Sequence, residues 1–217
     1  MEFKRILVKL SGERFAGTEG NSGSTAILDR EQIDTLAQEL VDLKATGREV
    51  AVVLGGGNIL RGKEAAENGI DEAQAHHMGM LATVINALAL QSVLEQKDCF
   101  TRVMSAIEMA SVAEPFIRRR AIRHLAKGRI VIFAAGSGNP FFTTDTAGAL
   151  RAVEIEADLL LKATKVDGIY TSDPAKDETA THIPETTYRN VLVEDLQVMD
   201  GSAIALCKEH KMPLMVC

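Results

Sequence analysis

The chain has 217 residues, 46% of them hydrophobic and 25% charged, with a formal net charge of −6 at pH 7 and a sequence pI near 5.4. That apolar content suffices for one substantial core, and the acidic balance disfavours a dedicated binder of nucleic acid or of anionic membrane surfaces. The three cysteines, Cys99, Cys207 and Cys217, lack CxxC spacing and indicate neither a disulfide framework nor a zinc site, and no apolar run approaches the roughly 18 residues of a membrane span, so a soluble, unexported protein of the reducing cytosol is expected.

Arg5 to Leu10 (RILVKL) reads as a first buried strand, broken at Ser11-Gly12. A lysine near the carboxyl end of such a strand is costly unless its ammonium reaches a cleft and meets an anion, which gives Lys9 a functional reading. The Gly- and Ser-rich stretch from Ala16 to Ser24 reads as a loop. Asp29 is placed to cap a helix carrying Ile33, Leu36, Ala37, Leu40, Val41 and Leu43 at helical spacing, with Gly47 beyond its end. A second strand, Glu49 to Leu54, runs into Gly55-Gly56-Gly57-Asn58, with Arg61 just after. Glycines behind a buried strand leave amides open to an anion, and the guanidinium adds a charge-assisted fork. From Ala75 to about Gln96 a helix is apolar around most of its circumference and is predicted to be buried or to lie at a subunit contact. His76 and His77, adjacent within it, lack metal-ligand spacing.

Phe100 to Ile107 reads as a strand and Glu108 to Lys127 as a helix, with Pro115 early and RRRAIRH along it. In this acidic chain the basic cluster reads as a solvated face or a regulatory anion site rather than a nucleic-acid contact. Ile130 to Ala135 has the character of a buried parallel strand and stops at Gly136 and Gly138. The turn Asn139 to Thr144 then presents hydroxyls and amides, and Asp145 opens a helix. Ligands of open α/β sheets collect at the carboxyl ends of strands, so a phosphorylated substrate is expected here. After a strand at Ala157 to Ala163, Thr164 to Pro174 carries Asp-Gly and Asp-Pro turns, hydroxyls, an aromatic and carboxylates suited to a nucleotide base, ribose and metal. Ala175 to Thr187 reads as a loop, Val191 to Val198 as strand or helix, Asp200 to His210 as a helix and Met212 to Cys217 as a last strand.

This alternation predicts an α/β protein, a three-layer α/β/α sandwich around a central, mainly parallel sheet. Neither GxxxxGK[ST] nor GxGxxG occurs, so phosphate must be held otherwise. Two glycine nests, Lys9, Arg61 and scattered aspartates suit in-line phosphoryl transfer between a donor and a phosphorylated acceptor.

KLSGE at 9–13, GGGNILRG at 55–62, HMGMLATVINALAL at 77–90, GSGNPFFTTDTA at 136–147 and KATKVDGIYTSDPAKD at 162–177 closely resemble the bacterial uridylate kinases of the amino acid kinase superfold, over nearly the whole chain. The resemblance implies transfer of the γ-phosphate of MgATP to UMP in pyrimidine nucleotide biosynthesis. It further implies a cytoplasmic homohexamer activated by GTP and inhibited by UTP, with no membrane and no stable nucleic-acid partner. ATP contacts are implied at Lys9, Leu10, Ser11, Gly12, Gly57, Arg61, Thr164, Tyr170 and Asp173. UMP contacts are implied at Gly56, His76, Ser137, Gly138, Asn139, Pro140, Phe141, Phe142, Thr143 and Thr144. Catalytic roles fall on Lys9, Asp145, Lys162, preferred over Lys165, and Asp200, and a GTP-linked loop on Gly17, Thr18, Glu19, Gly20, Asn21 and Ser22. Mg²⁺ is expected with ATP and without direct protein ligands.

Two departures stand out. His76 replaces the family's aspartate and adds a titrating group beside the acceptor. The family also continues past MPLMVC with a strand and hairpin, so residues 1–217 read as a single amino acid kinase domain without them. Within the superfold, a kinase acting on a carboxylate or carbamate is the alternative; outside it, a nucleotide sensor without turnover, and last a Rossmann oxidoreductase, whose fingerprint is missing.

Overall fold

Runs rich in Val, Ile and Leu, each ended by glycine or a polar turn, assemble into one seven-stranded sheet in a computed structural model that describes residues 3–17, 26–164 and 166–217. Its strands are β1 (Arg5–Leu10), β2 (Glu49–Leu54), β3 (Thr101–Ser105), β4 (Glu114–Pro115), β5 (Ile130–Ala134), β6 (Leu159–Lys162) and β9 (Leu214–Val216). They lie in the order β4-β3-β5-β2-β1-β6-β9, and every neighbouring pair is parallel. A separate antiparallel pair joins β7 (Ile169–Tyr170), between the Asp-Gly and Asp-Pro turns, to β8 (His182–Ile183), inside the stretch Ala175 to Thr187 expected to be loop. The helices are α1 (Arg30–Ala45), α2 (Gly62–Glu67), α3 (Glu72–Gln96), α4 (Arg118–Ala126), α5 (Thr144–Glu154), α6 (Tyr188–Val193) and α7 (Gly201–Glu209).

The two-residue period of a strand divides the core into two layers. On one face Ile6, Val8 and Leu10 of β1 pack with Ile33, Leu36 and Leu40 of α1 and with Val84, Leu90 and Leu94 of α3. On the other, Leu7, Val53, Val131 and Phe133 meet Ala121 and Leu125 of α4, Ala149 and Ala152 of α5, and Ile204 and Cys207 of α7. Lys9 shares the face of Leu7, so its stem runs over α5, where a Cβ on Gly148 would lie 3.7 Å from Lys9 Cγ. A parallel sheet covered on both sides has no wet face, which is why its strands read as nearly continuous apolar runs.

Helix caps follow side-chain chemistry. Asp29 accepts a hydrogen bond from the backbone N–H of Gln32 and Asp200 from that of Ala203, as capping carboxylates do. The cap of α5 is Thr143, whose Oγ1 accepts from the N–H groups of Asp145 at 3.1 Å and Thr146 at 3.3 Å; Asp145 sits inside the first turn instead of opening the helix. The helix expected across Glu108 to Lys127 is confined to α4. Pro115 offers no N–H and holds the preceding residue extended, so Glu114–Pro115 pairs at the sheet edge with Met104–Ser105 instead. The ambiguous stretch from Val191 resolves as the end of α6 followed by turns.

α3 is apolar on both sides. Leu90 and Leu94 are fully buried against the sheet and α1, whereas Met78, Leu81 and Ile85 stand 38%, 49% and 47% exposed along one stripe. By length and composition alone α3 is long and apolar enough to cross a membrane, against the expectation that no apolar run approaches a span, although a buried core helix meets the same criterion.

Burial separates two truncations. Leu90→Ala is expected to lose about 2–5 kcal/mol in urea unfolding. Val193→Ala, at the 76% exposed end of α6, should stay within about 0.5 kcal/mol of the parent.

Candidate functional site

The crossover from β5 through α5 to β6 passes over β2 and β1, so the carboxyl ends of these four strands border one crevice. The chain leaving β1 turns at Ser11 into a single 3-10 turn, Gly12–Phe15. Gly12 lies against the glycine loop after β2. A Cβ there would stand 2.7 Å from both the Gly57 nitrogen and Asn58 Oδ1, so two backbones meet where only glycine fits. α3 secures the same loop from below. The Asn86 side chain, fully buried, donates to the Gly55 carbonyl at 2.8 Å and to Asn58 Oδ1 at 2.7 Å. Asn58 Nδ2 in turn reaches Asn86 Oδ1 at 3.1 Å and the Ile27 carbonyl at 2.8 Å.

At the end of β5 the backbone enters the left-handed region at Ala135 (φ 61°), Gly136, Gly138 and again at Phe141 (φ 69°). For alanine and phenylalanine this costs roughly 1–3 kcal/mol each and persists only where neighbours enforce it. Thr83 of α3 does so, accepting the Ala135 N–H at 2.8 Å. From α5, buried Arg151 donates to the Gly136 carbonyl at 3.3 Å while its guanidinium lies 3.9 Å over the Phe116 ring.

At the centre, the parallel register of β1 and β6 places Lys9 beside Lys162, two like charges on adjacent strands. Asp145 lies between them. Lys9 Nζ is 2.7 Å from Oδ1, an ion contact without hydrogen-bond alignment, and Lys162 Nζ donates to Oδ2 at 3.0 Å and to the Val198 carbonyl. The three side chains are only 12–16% exposed. Asp200 supports this centre from α7: its Oδ1 accepts from Thr146 Oγ1 at 2.8 Å and from the Ala203 N–H at 2.9 Å, and its Oδ2 from the Thr143 hydroxyl. Burial pushes this carboxyl up, but those bonds, with one from the Ser202 N–H, outweigh it and hold Asp200 below the usual carboxylate range.

Two cavities lie near this centre, and only one of them is bordered by a lysine of the cluster. One of about 270 Å³ lies between α3 and the β5 loop, bordered by Gly56, Gly57, Arg61, His76, Ser137, Asn139, Phe142, Thr143 and Thr144. The other, of about 390 Å³, is bordered by Lys162, Thr164, Tyr170, Asp173, Gln197 and Val198. A groove of about 200 Å³ beside Lys9, Ser11, Glu13, Lys162 and Thr164 shares Lys162 and Thr164 with the larger cavity. On the rim, Tyr170 donates to Asp167 Oδ1 at 2.7 Å, which lowers the Asp167 carboxyl and raises the phenol.

Most of the sequence-derived site is thus gathered in one crevice. Gly57 and Arg61, read with the ATP contacts, border the smaller cavity together with Gly56. Leu10 turns its buried side chain into the core and offers the site only backbone. Gly138 and Pro140 shape the loop without bordering the cavity, and the Phe141 ring stands 5.2 Å from that of His76. Residues 18–22 of the GTP-linked loop and Lys165 lie outside the described residues; Gly17 donates its N–H to the Ala26 carbonyl. Among the described residues no three His, Cys, Asp or Glu side chains form a metal-binding group.

Sequence reasoning missed Thr83, Asn86, Arg151 and Glu13. The first two stand three residues apart in an otherwise apolar helix, a polar pair on one side that helical periodicity could have exposed. Glu13 Oε1 pairs with Arg61 Nη2 at 2.7 Å, and Arg61 Nη1 lies 3.4 Å from Glu64.

Residues 4–217 match the profile of the Amino acid kinase family. A uridylate kinase of Paramagnetospirillum magneticum is 56% identical over 215 residues, 99% of this chain and 88% of that protein. The crystal structure of UMP kinase from Bacillus anthracis superposes with a TM-score of 0.93 at 41% identity, covering 100% of this chain and 87% of that one. That of UMP kinase from Ureaplasma parvum gives 0.90 at 37% identity, with 100% and 90% covered.

Because the Asp200 pKa is depressed by folding, its contribution to stability is complete above its unfolded value, about 3.9, and is lost as pH falls through the folded value. Acid titrations of stability should therefore show the parent falling more steeply than Asp200→Asn below about pH 4; parallel curves would refute this.

Proposed function

This chain belongs to the amino acid kinase family, and we propose that it is a UMP kinase, transferring the γ-phosphoryl group of ATP to UMP to give ADP and UDP in pyrimidine nucleotide biosynthesis. The observation that carries the reading is the Lys9–Asp145–Lys162 cluster, of which Lys162 borders the larger cavity while Thr144, next to Asp145, borders the smaller. The larger takes the adenine and ribose of ATP near Thr164, Tyr170 and Asp173, and the groove at Lys9, Ser11 and Gly12 takes its phosphates. The smaller takes UMP against Gly56, His76 and the Ser137–Thr144 loop, whose Phe142 and hydroxyls suit a nucleotide better than a small acid.

An oxygen of the UMP phosphate attacks the γ-phosphorus; that bond forms as the bond from the γ-phosphorus to the β,γ-bridging oxygen breaks, and ADP leaves with the electron pair. The attacking oxygen is already ionised near neutral pH, since the second ionisation of a phosphate monoester lies near 6, so no general base is required. Catalysis then rests on alignment and on charge. Lys9 and Lys162 stabilise the negative charge spread over the transferring group, Asp145 fixes their positions, Arg61 bridges toward the acceptor phosphate, and Asp200 orients the hydroxyls of Thr143 and Thr146 at the start of α5.

Kinase chemistry implies a metal carried by the nucleotide, and we assign it as Mg²⁺. Asp145 is balanced by two ammoniums and both Asp200 oxygens are engaged, so the phosphates themselves would hold the ion, which supplies charge neutralisation when bound. Residues 1–217 are taken as a single catalytic domain acting in the cytoplasm. The exposed Met78–Leu81–Ile85 stripe of α3 supports self-association, which we take to give a homohexamer, and GTP activation with UTP inhibition completes the proposal.

A coupled ADP-release assay tests the reading. Release should require UMP and not occur with CMP, dUMP, acetylglutamate or no acceptor. Lys9→Ala should lower kcat by about 10²–10³-fold while changing KM for UMP far less; equal effects on both would remove Lys9 from the transition state.

A further inference from the structure

Arg61 faces the smaller cavity, yet its guanidinium is already occupied: Glu13 Oε1 lies 2.7 Å from Nη2 and Glu64 Oε1 3.4 Å from Nη1. Glu13 comes from the turn after β1 and borders the groove of Lys9, Ser11, Lys162 and Thr164, on the donor side. One carboxylate thus spans the boundary between the two sites, lying in the path of one anionic ligand and on the cation that the other needs. We propose that Glu13 is a displaceable internal occupant of Arg61 that couples the binding of the two nucleotides.

This rests on the reading of the two cavities as donor and acceptor sites. Whichever nucleotide arrives first must draw Arg61 away from Glu13 or push the Glu13 carboxylate out of its groove. The second then meets an arginine already released. A cost borne once by whichever ligand binds first appears as positive coupling between them, and the coupling is reciprocal. Its size follows from exposure. The Arg61 and Glu13 side chains are 54% and 40% exposed, so water and salt screen the pair. Ion pairs of this kind span an effect of roughly one- to five-fold on an equilibrium. Glu13 is therefore a positioning residue that tunes occupancy and touches no reacting atom.

Calorimetric titration of UMP into the parent and into Glu13→Gln, each with and without a non-hydrolysable ATP analogue and Mg²⁺, tests the coupling. Glu13→Gln should bind UMP alone about two- to five-fold more tightly than the parent, and the analogue should enhance UMP binding less in the variant by the same factor. The difference between the proteins should shrink as ionic strength rises. Equal UMP affinity in both proteins, or an unchanged enhancement by the analogue, overturns the role of Glu13 while leaving the kinase reading in place. Absence of UMP binding by the parent overturns the reading of the site and the inference with it.

Discussion

One carboxylate holds two ammonium groups side by side at the centre of this molecule. Lys9 and Lys162 share a register position on adjacent parallel strands, and parallel pairing points both toward α5. Left alone, two ammoniums so shielded from water would repel each other. Asp145, in the first turn of α5, bonds or contacts both and sits between them. The cluster still carries one positive charge in excess. On the proposed reading, that excess, preorganised and largely dry, is what a transferring phosphoryl group completes.

Much of the surrounding structure reads as support for this arrangement. α5 packs over the Lys9 stem at Gly148, Thr143 ends the loop so that Asp145 falls in the first turn, and the Val198 carbonyl fixes Lys162 from the far side. The glycine loops are shaped by contact as much as by flexibility. Gly12 abuts Gly57, while Gly56 lies against Ala82 and the Gly79 carbonyl of α3, so a side chain at Gly12 or Gly56 would force backbone apart.

What could be read in the sequence was local. β1, β2 and β5 announced themselves by apolar runs ended at Ser11, Gly55 and Gly136, and α1 by Asp29 and its spacing, because those signals lie within a few residues of each other. Long-range facts were not legible. Nothing in the pattern of RILVKL and LLLK says that Lys9 and Lys162 are neighbours, since register depends on which strands pair. In the sequence, α5 was expected to open at Asp145, and only the bonds to Thr143 Oγ1 show that the threonine caps it. Pro115 mattered more than the helical spacing around it, because a missing N–H at a sheet edge costs nothing whereas in a helix it removes a bond. Glu13 escaped notice because its significance is a partner 48 residues away.

The two sides of α3 do different work on one rigid body. One side shapes the floor of the smaller cavity, with Thr83 holding the Ala135 N–H and Asn86 the Gly55 carbonyl; the other presents Met78, Leu81 and Ile85. A helix transmits a shift along its whole length because its residues share one continuous ladder of hydrogen bonds. Anything seated against that stripe would press, through a single lever, on the amide and carbonyl that set the loops around the smaller cavity. The outer stripe and the floor of the smaller cavity are joined by this one helix, so a substitution on its outer side would be felt inside the pocket without touching a single residue that lines it.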